Sequence, residues 1–339
     1  MRGSSFGLTL LLAAVVGAVG APLLAPHAID DQYSALLNAP PTLPHVIDDR
    51  GAWHAPFIYP WRLVDRLEQR YEQNRSARVR LAWFAHGRLV GSTDEAGAPL
   101  MIAGTDSFGR DVFSRLLFGA RISLGLALLA ALGATTIGAL IGGMAGYAGG
   151  IVDEALMRSS EFVLVLPVIY VALALRAVLP LVLAPQTVFA MLASIFAVVG
   201  APFVARGVRA IVQHERRLEY ALAVRSLGAG HARVLFGHLL PAAGGYLVVQ
   251  LTVLVPAFII AEATLSYVGL GFADPIASWG AMLHEAANVR ALVDFPWLLS
   301  PAGAIFLVVL GLNLLLQRPG IDPGTIQADE ALRRFRIRY

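Results

Sequence analysis

The sequence contains no lysine and no cysteine, and it is poor in charge of either sign. All 26 of its basic residues are arginines, and charged residues make up 14% of the 339-residue chain. A P-loop that binds nucleotide phosphates requires a lysine, so the chain holds no Walker A motif. The absence of cysteine excludes disulfides, thiolate metal sites and a cysteine nucleophile.

Apolar residues take the place of the missing charge. They form 57% of the chain, and the mean hydropathy is +0.67. An average soluble domain has about 25% charged residues. One buried core cannot account for this hydropathy over such a length, so several segments must have lipid as their solvent.

Six segments are apolar enough to cross a bilayer as helices of about 20 residues. The sequence therefore predicts an all-α membrane protein with six transmembrane helices. The first segment also admits a signal-peptide interpretation, but its apolar run exceeds the roughly 7–15 residues usual for such peptides. The six segments are Phe6–Ala25, Ile122–Val152, Phe162–Val182, Thr187–Val204, Leu239–Ala261 and Trp297–Leu316.

Arginines in the short connecting segments indicate the orientation of the spans. With a cytoplasmic N-terminus, thirteen arginines fall inside and two fall on the outside, Arg176 near the outer end of the third span and Arg290 in a short connecting segment. The eleven arginines of residues 27–121 count little, because long segments are translocated regardless of charge. The positive-inside rule therefore predicts that both termini are cytoplasmic.

Residues 27–103 are too many for a turn between the first two spans, and they predict a small extracytoplasmic α/β lobe. A helix is predicted after Pro60, where apolar residues recur every four positions. Alternation over residues 79–83 predicts a half-buried strand, followed by a turn at residues 86–87. The lobe is either a compact cap or a docking surface for an extracytoplasmic partner, and both interpretations stay open.

Four glycines of the second span recur at four-residue spacing, which places them on one helix face. They are Gly138, Gly142, Gly146 and Gly150. Small residues in this pattern let another helix approach closely. The spacing therefore favours tight helix packing over a pore-lining role.

Polar residues inside spans are costly and suggest function. Arg176, Gln250 and Glu262 are the cases in this chain. Arg176 is predicted near the outer interface, where its long side chain can reach water. Glu262, close to the outer end of the fifth span, is predicted either at the interface or in contact with a solute.

The segment between spans four and five has a distinctive pattern. It predicts a helix that leaves the membrane, a break at Gly228–Gly230, and a second short helix that ends near Pro241. Small residues before the break leave a shallow surface on which another protein can lie. From the residues alone, a basic hairpin that touches anionic lipid fits equally well.

This segment resembles the EAA loop through which permeases of binding-protein-dependent ABC importers contact their ATPase subunits. Leu222 stands where the family has its glutamate, which removes any salt bridge made by that residue. The glycine and the proline that set the geometry are present. The matching positions are Tyr220, Ala223, Arg225, Ser226, Leu227, Gly228, His238 and Pro241.

Further stretches resemble the C-type permease subunits of dipeptide/oligopeptide importers. One, of the pattern GTD…GRD…SRLL.GAR, leads into span two and continues through residues 146–158; another covers 262–271 and 278–283. The resemblance spans about residues 100–316 and omits the lobe and the tail. The signature residues before span two are Gly104, Thr105, Asp106, Gly109, Arg110, Asp111, Arg115 and Arg121.

The resemblance implies a permease subunit of an ATP-driven importer that forms half of the pathway for peptides or peptide-like solutes. Its partners would be a homologous second permease subunit, two cytoplasmic ATP-binding subunits and an extracytoplasmic solute-binding protein. The chain would not be an enzyme and would bind no cofactor or nucleic acid, since ATP and Mg²⁺ belong to the ATPase subunits. Its location would be a bacterial inner membrane.

The expected organisation is a transmembrane helix in residues 1–26, the lobe in 27–103, a permease core in 104–316 and a cytoplasmic tail in 317–339. The ATPase-coupling loop would occupy about residues 206–241 of the core.

Three other functions are alternatives to this one. A secondary transporter usually carries acidic residues in its spans, and spans one to four and six have none. A membrane enzyme would need a motif such as His-Glu-x-x-His, yet neither His214-Glu215 nor His284-Glu285 continues in that way. A permease for a non-peptide solute such as nickel remains an alternative.

Overall fold

The computed structural model describes residues 2–167, 170–171, 173–174, 184–287 and 293–316. Helices form most of this part of the chain, and a group of short strands lies between the second and third helices. The α-helices are α1 (Arg2–Val19), α2 (Ala21–Leu24), α3 (Val112–Ala148), α4 (Gly150–Val165), α5 (Pro185–Glu215), α6 (Glu219–Ser226), α7 (His231–Val234), α8 (Leu240–Ala242), α9 (Gly244–Tyr267), α10 (Trp279–Glu285) and α11 (Ser300–Leu316).

Four helical stretches in the described residues are long and apolar enough to cross a membrane. They are α3, α5, α9 and Pro296–Leu315, in which a 3₁₀ turn precedes α11. The apolar part of α1, Ser5–Val19, is shorter. The prediction of a mostly helical, multi-span protein is confirmed.

The six-span count stays a prediction. Most of the third predicted span, residues 162–182, lies outside the described residues, as do Arg176, Arg290 and the tail 317–339. The described parts of that span are the end of α4 and residues 166–167, 170–171 and 173–174.

Glycines on α3 leave room for the backbone of α5. A Cβ atom placed on Gly138, Gly142 or Gly146 would lie 2.6, 2.3 or 2.7 Å from a carbonyl oxygen of α5. No real Cβ contact is that short, so glycine is required for this approach. Gly150 departs from the predicted stripe, because it begins α4 with φ +57° and no atom lies within 4 Å of a Cβ placed there.

The lobe contains two small antiparallel sheets. A four-stranded sheet has the order β1-β2-β5-β6, and β3 and β4 form a separate hairpin. A 3₁₀ turn at Ala85–Gly87 precedes β6, in agreement with the turn predicted there. The strands are β1 (His45–Ile47), β2 (Trp53–Ile58), β3 (Trp61–Asp65), β4 (Arg70–Gln73), β5 (Val79–Trp83) and β6 (Val90–Ser92).

The helix predicted after Pro60 is wrong, and with it the α/β character of the lobe. The residues form the β3–β4 hairpin, in which Leu63 pairs with Tyr71. The inner face of the hairpin packs near Leu36 and Met101. The tyrosine hydroxyl donates a hydrogen bond to a backbone carbonyl oxygen at 2.7 Å, which fixes the hairpin to the chain that precedes it.

Candidate functional site

The regions that carry the family resemblance lie at opposite ends of α3. Its first turns meet the segment after α9, where the Trp279 indole N–H donates to the Leu116 carbonyl oxygen at 3.0 Å. We call this the lobe end, because the lobe joins α3 here. The last turn of α3 meets residues 216–243, the α5–α9 loop, and we call this the loop end.

The α5–α9 loop is mostly helical. α5 extends beyond its predicted apolar stretch to Glu215, and α6 follows after three residues. The chain then continues through α7, a π-helix at Leu235–Leu239 and α8, which contains Pro241, into α9. Gly228 follows α6 with φ +81°, and a Cβ there would have no atom within 4 Å. Backbone conformation, not space, therefore requires glycine at this position.

α6 presents apolar side chains on its outer surface. Leu227, directly after the helix, is 87% exposed, and Leu222 and Tyr220 are also exposed. Ala221 is buried and belongs to the main hydrophobic core. A solvent-facing apolar surface of this kind, held on one side by the core, suits contact with another protein. Among the other predicted loop residues, Ala223, Arg225, Ser226 and Pro241 are exposed and His238 is half-buried.

Hydrogen bonds fix both arms of the loop to the last turn of α3. The Arg216 guanidinium donates to the Tyr147 carbonyl oxygen at 2.8 Å. The Tyr147 hydroxyl oxygen lies 2.6 Å from Nδ1 of His231, on the returning arm. The Tyr220 hydroxyl donates to the Glu215 carboxylate at 2.7 Å. A displacement of α6 would therefore act on α3.

A second contact at the loop end joins α4 to α5. Arg209 donates to Asp153 from Nε at 2.5 Å and from Nη2 at 2.6 Å, and Gln213 donates to the same carboxylate at 3.0 Å. These hydrogen bonds from Arg209 lower the pKa of Asp153. The pair holds the start of α4 beside the part of α5 that leads into the loop.

The lobe end contains a network in which two buried arginines contact the carboxylates of Asp106, Glu285 and Asp274, whose side chains are 3%, 14% and 44% exposed. Arg110 donates from Nε to Asp106 at 2.7 Å, from Nη1 to Asp274 at 3.0 Å, and from Nη2 to Glu285 at 2.8 Å. Arg115 Nη2 donates to Asp274 and Glu285 at 3.4 and 3.3 Å. The two arginines are only 3% and 1% exposed. We call these five residues the lobe-end ion network.

One carboxyl group of the network has a shifted pKa. Burial raises the pKa of Glu285 to about 7, and the neighbouring charge of Asp106 adds to the effect while both arginines oppose it. The network joins the entry to α3 with α10, which lies more than 150 residues later in the chain. It therefore closes the fold at this end.

The remaining signature residues shape the chain around the network. Gly104 and Gly109 have φ values of +74° and +75°, and a Cβ on Gly109 would lie 2.2 Å from a carbonyl oxygen. Asp111 caps α3 by accepting hydrogen bonds from amides of its first turn. Thr105 is buried, and its hydroxyl accepts from the Ala39 N–H and donates to the Leu36 carbonyl oxygen, both in the first part of the lobe. Arg121 is exposed.

Glu262 is completely buried in α9. The hydroxyls of Ser123 and Ser266 each donate to its carboxylate at 2.8 Å. Those hydroxyl oxygens in turn accept the backbone N–H groups of Trp279 and Phe272 at 3.1 Å. This burial contradicts a contact with a solute, while the position near the outer interface stays a prediction. Glu262 instead orders the segment between α9 and α10.

Sequence reasoning missed the acidic partners of the lobe-end ion network. The sequence suggests only an enzyme motif at His284-Glu285, and no local pattern distinguishes Asp274. The available signal lay in Arg110 and Arg115, because arginines at the entry to an apolar helix need carboxylate partners if they are buried. Asp274 and Glu285 are the only acids between residues 268 and 287.

Members of both His-Glu pairs, His214-Glu215 and His284-Glu285, have structural partners. Glu215 accepts the hydrogen bond from Tyr220, and Nδ1 of His284 lies 2.6 Å from the Tyr267 carbonyl oxygen. Within the part of the chain that the structure describes, no group of three or more His, Asp or Glu side chains is placed to hold a metal ion.

Comparison with known proteins identifies the family to which the chain belongs. Residues 138–325, more than half of the chain, match the family described as "Binding-protein-dependent transport system inner membrane component". The oligopeptide transport system permease protein OppC of Bacillus subtilis is 38% identical over 223 residues, which are 65% of this chain and 70% of that protein.

Two further relatives are also named as permease proteins of transport systems. The dipeptide transport system permease protein DppC of Bacillus subtilis is 39% identical over 62% of this chain and 64% of that protein. The glutathione transport system permease protein GsiD of Pectobacterium atrosepticum is 37% identical over 65% of this chain and 71% of that protein. The chain therefore belongs to the family of inner membrane components of binding-protein-dependent transport systems.

Proposed function

We propose that this chain is a permease subunit of an ATP-driven importer for peptides or peptide-like solutes. It forms half of the translocation pathway and receives mechanical work through the α5–α9 loop. The observation that carries the proposal is the exposed apolar surface of α6, which is hydrogen-bonded through the loop arms to α3. Family membership supports a transport role without ATP hydrolysis by this chain.

The proposed assembly contains a homologous second permease subunit, two cytoplasmic ATPase subunits and an extracytoplasmic solute-binding protein. ATP and Mg²⁺ bind to the ATPase subunits. The α5–α9 loop and both termini face the cytoplasm, and the lobe faces outward. The excess of arginine in the predicted inside segments supports this orientation.

Peptides are the solute class that the relatives support. The names of three of them specify oligopeptide, dipeptide and glutathione transport, and all three solutes contain amide-linked amino acids. The nickel alternative receives no comparable support from these relatives.

The mechanism follows from differential contacts in two states. When ATP draws the ATPase subunits together, each docked subunit carries its α6 with it. Tyr147 and Arg216 pass that displacement to α3, and the glycine contact between α3 and α5 moves the two helices together. The spans then shift between inward and outward access, a population shift set by the ATPase contacts.

The Gly228→Val variant tests the loop. A β-branched residue is strained at φ +81°, and a strain of about 1–2 kcal/mol corresponds to about tenfold in the population of the docking conformation. Gly230→Val is the matched control, since Gly230 has φ −65° and open space. The assay is dipeptide uptake by proteoliposomes that contain the chain with its partner subunits.

We expect about tenfold lower uptake for Gly228→Val, an unchanged amount of the variant in the membrane, and normal uptake for Gly230→Val. Normal uptake by Gly228→Val would remove the loop from the mechanism. Uptake of Ni²⁺ without uptake of any peptide would leave the loop's role intact and overturn the solute class.

A further inference from the structure

The turn between β5 and β6 exposes two large aromatic side chains. Trp83, the last residue of β5, is 57% exposed, and Phe84 is 72% exposed. Phe84 has φ +54°, a left-handed conformation that bulky side chains rarely adopt. Such conformations persist only where the surrounding structure holds them, and they concentrate at functional positions.

Backbone hydrogen bonds connect this turn to the end of the first apolar segment. The Phe84 N–H donates to the Leu89 carbonyl oxygen at 3.1 Å, and the Leu89 N–H donates to the Leu23 carbonyl oxygen at 2.7 Å. Hydrogen-bonded extended chains lie about 5 Å apart. Two such steps place the Phe84 backbone within roughly 10 Å of α2.

An arginine side chain also fixes the turn to the chain near the end of α2. The Arg88 guanidinium donates to the carbonyl oxygen of Pro26, the second residue after α2, and its Nη2 lies 3.7 Å from the Asp31 carboxylate. The turn is thus tied at Leu23 and at Pro26, so it cannot swing away from the end of this segment.

The apolar surface beside the turn is uncovered. Val19 is 70% exposed and Leu23 is 46% exposed, and both belong to the apolar segment that begins the chain. In a chain that crosses a membrane, an exposed apolar surface on this segment is suited to contact with lipid. The aromatic turn therefore continues an exposed apolar surface of the first segment.

We propose that Trp83 and Phe84 anchor the lobe in the membrane. Their rings lie at the boundary between headgroups and acyl chains of the leaflet at the lobe end. Tryptophan prefers this boundary because its ring is apolar and its N–H is polar. The lobe is thereby held against the bilayer instead of standing free above it.

The absence of cysteine from the chain allows a direct test with single introduced cysteines. Phe84→Cys is labelled with the environment-sensitive fluorophore NBD, and the full-length chain is reconstituted in vesicles of phosphatidylcholine and phosphatidylglycerol. A fraction of the lipid carries a nitroxide in the headgroup or at the fifth acyl carbon, and quenching by each lipid is measured.

Trp53→Cys is the matched control, since Trp53 is 77% exposed on the lobe. The neighbouring His54 is tied to Asp48 and to Arg78, which precedes β5 at the end opposite Phe84. We expect at least about twofold stronger quenching at position 84 than at position 53, as for a group within the interfacial layer. Equal quenching at the two positions would overturn the proposal.

Trp83→Cys repeats the measurement without altering the left-handed residue, in case Phe84→Cys does not fold. It should be quenched as Phe84→Cys is. If neither label is quenched by lipid, but both become shielded when purified solute-binding protein or the second permease subunit is added, the turn is a protein-docking surface and the membrane anchor is excluded.

Discussion

Both ends of α3 have contacts between arginines and carboxylates, but these contacts differ in burial and in what they hold together. At the lobe end, Arg110 and Arg115 are almost completely buried and each contacts carboxylates from distant parts of the sequence. At the loop end, Arg209 is partly exposed and pairs with Asp153 on a neighbouring helix. The first arrangement closes the fold, while the second adjoins a loop whose apolar surface is open.

The difference indicates which end is built to move. Separating buried charges from their partners is costly, so the lobe-end ion network resists rearrangement. A single partly exposed pair costs little to break, so the loop end can follow a docked subunit. We infer that the lobe end acts as the fixed reference against which the loop end moves.

The largest expected effect is the loss of a network arginine. Arg115→Met leaves Asp106 and Glu285 with one cation instead of two in a buried site, which should lower the free energy of unfolding by about 3–5 kcal/mol. Arg121→Met, at an exposed position of the same helix, should change it by less than about 0.5 kcal/mol. Thermal unfolding of the two purified variants in detergent measures the difference.

Equal stability of the two variants would show that the lobe end is not the fixed end. A loss in the Arg115 variant that is fully restored by Arg115→Lys would show that charge alone, and not the guanidinium geometry, holds the network.

The next effect concerns the helix contact that connects the two ends. Gly142→Ala would place a Cβ 2.3 Å from a carbonyl oxygen of α5, and we expect a loss of about 1–3 kcal/mol from overpacking. Gly125→Ala, in the same helix, meets no atom within 4 Å and should be neutral or stabilising by up to about 1 kcal/mol. Similar melting temperatures for both variants would mean that α3 and α5 can separate without cost.

These features differ in how far the sequence predicts them. The apolar runs and the glycine spacing are local patterns, so α3, α5, α9 and the close approach at Gly142 follow from them. The lobe-end ion network does not, because Arg110 meets Asp274 across 164 residues and Glu285 across 175. No local pattern specifies such a pairing.

The β3–β4 hairpin shows a second limit. Leu63, Leu67 and Tyr71 recur at the spacing of a helix, and the same spacing fits a hairpin in which Leu63 and Tyr71 are paired and Leu67 lies in the turn. Gln69, with φ +50°, completes that turn. Packing of Tyr71 against Leu36 and Leu37, in the first part of the lobe, decides between the two structures, and that contact is not local.

A smaller effect depends on pH at the lobe end. Because burial raises the pKa of Glu285 from 4.5 to about 7, the folded chain holds this proton more tightly than the unfolded chain does. Its contribution to stability is complete below pH 4.5 and is lost as the pH rises through 7. The free energy of unfolding of the native chain should therefore fall by about 1–2 kcal/mol between pH 5 and 7. The Glu285→Gln variant should not show this fall.

Unfolding of both proteins in detergent across this pH range gives the difference curve. Since Asp111 also has a raised pKa, of about 6, only the difference between the two proteins isolates Glu285. If the difference in unfolding free energy does not change with pH, Glu285 is ionised throughout this range. The attraction of the two arginines would then outweigh the effect of burial on its pKa.

The smallest effect on stability should accompany a large effect on transport, at the loop end. Asp153→Asn weakens the bidentate contact with Arg209, and for a partly exposed pair the expected loss is about 1 kcal/mol or less. Glu154→Gln is the control, since its pair with Arg158 is exposed and 3.7 Å long.

Because the Asp153 contact holds α4 to the part of α5 that leads into the loop, its loss should uncouple ATP hydrolysis from peptide uptake in the assembled transporter. The measurement is the ratio of peptide transported to ATP hydrolysed in proteoliposomes, which should fall for Asp153→Asn and remain unchanged for Glu154→Gln. If that ratio is unchanged for both, the loop end transmits movement through Tyr147 and Arg216 alone, and the contrast between the two ends of α3 is one of stability only.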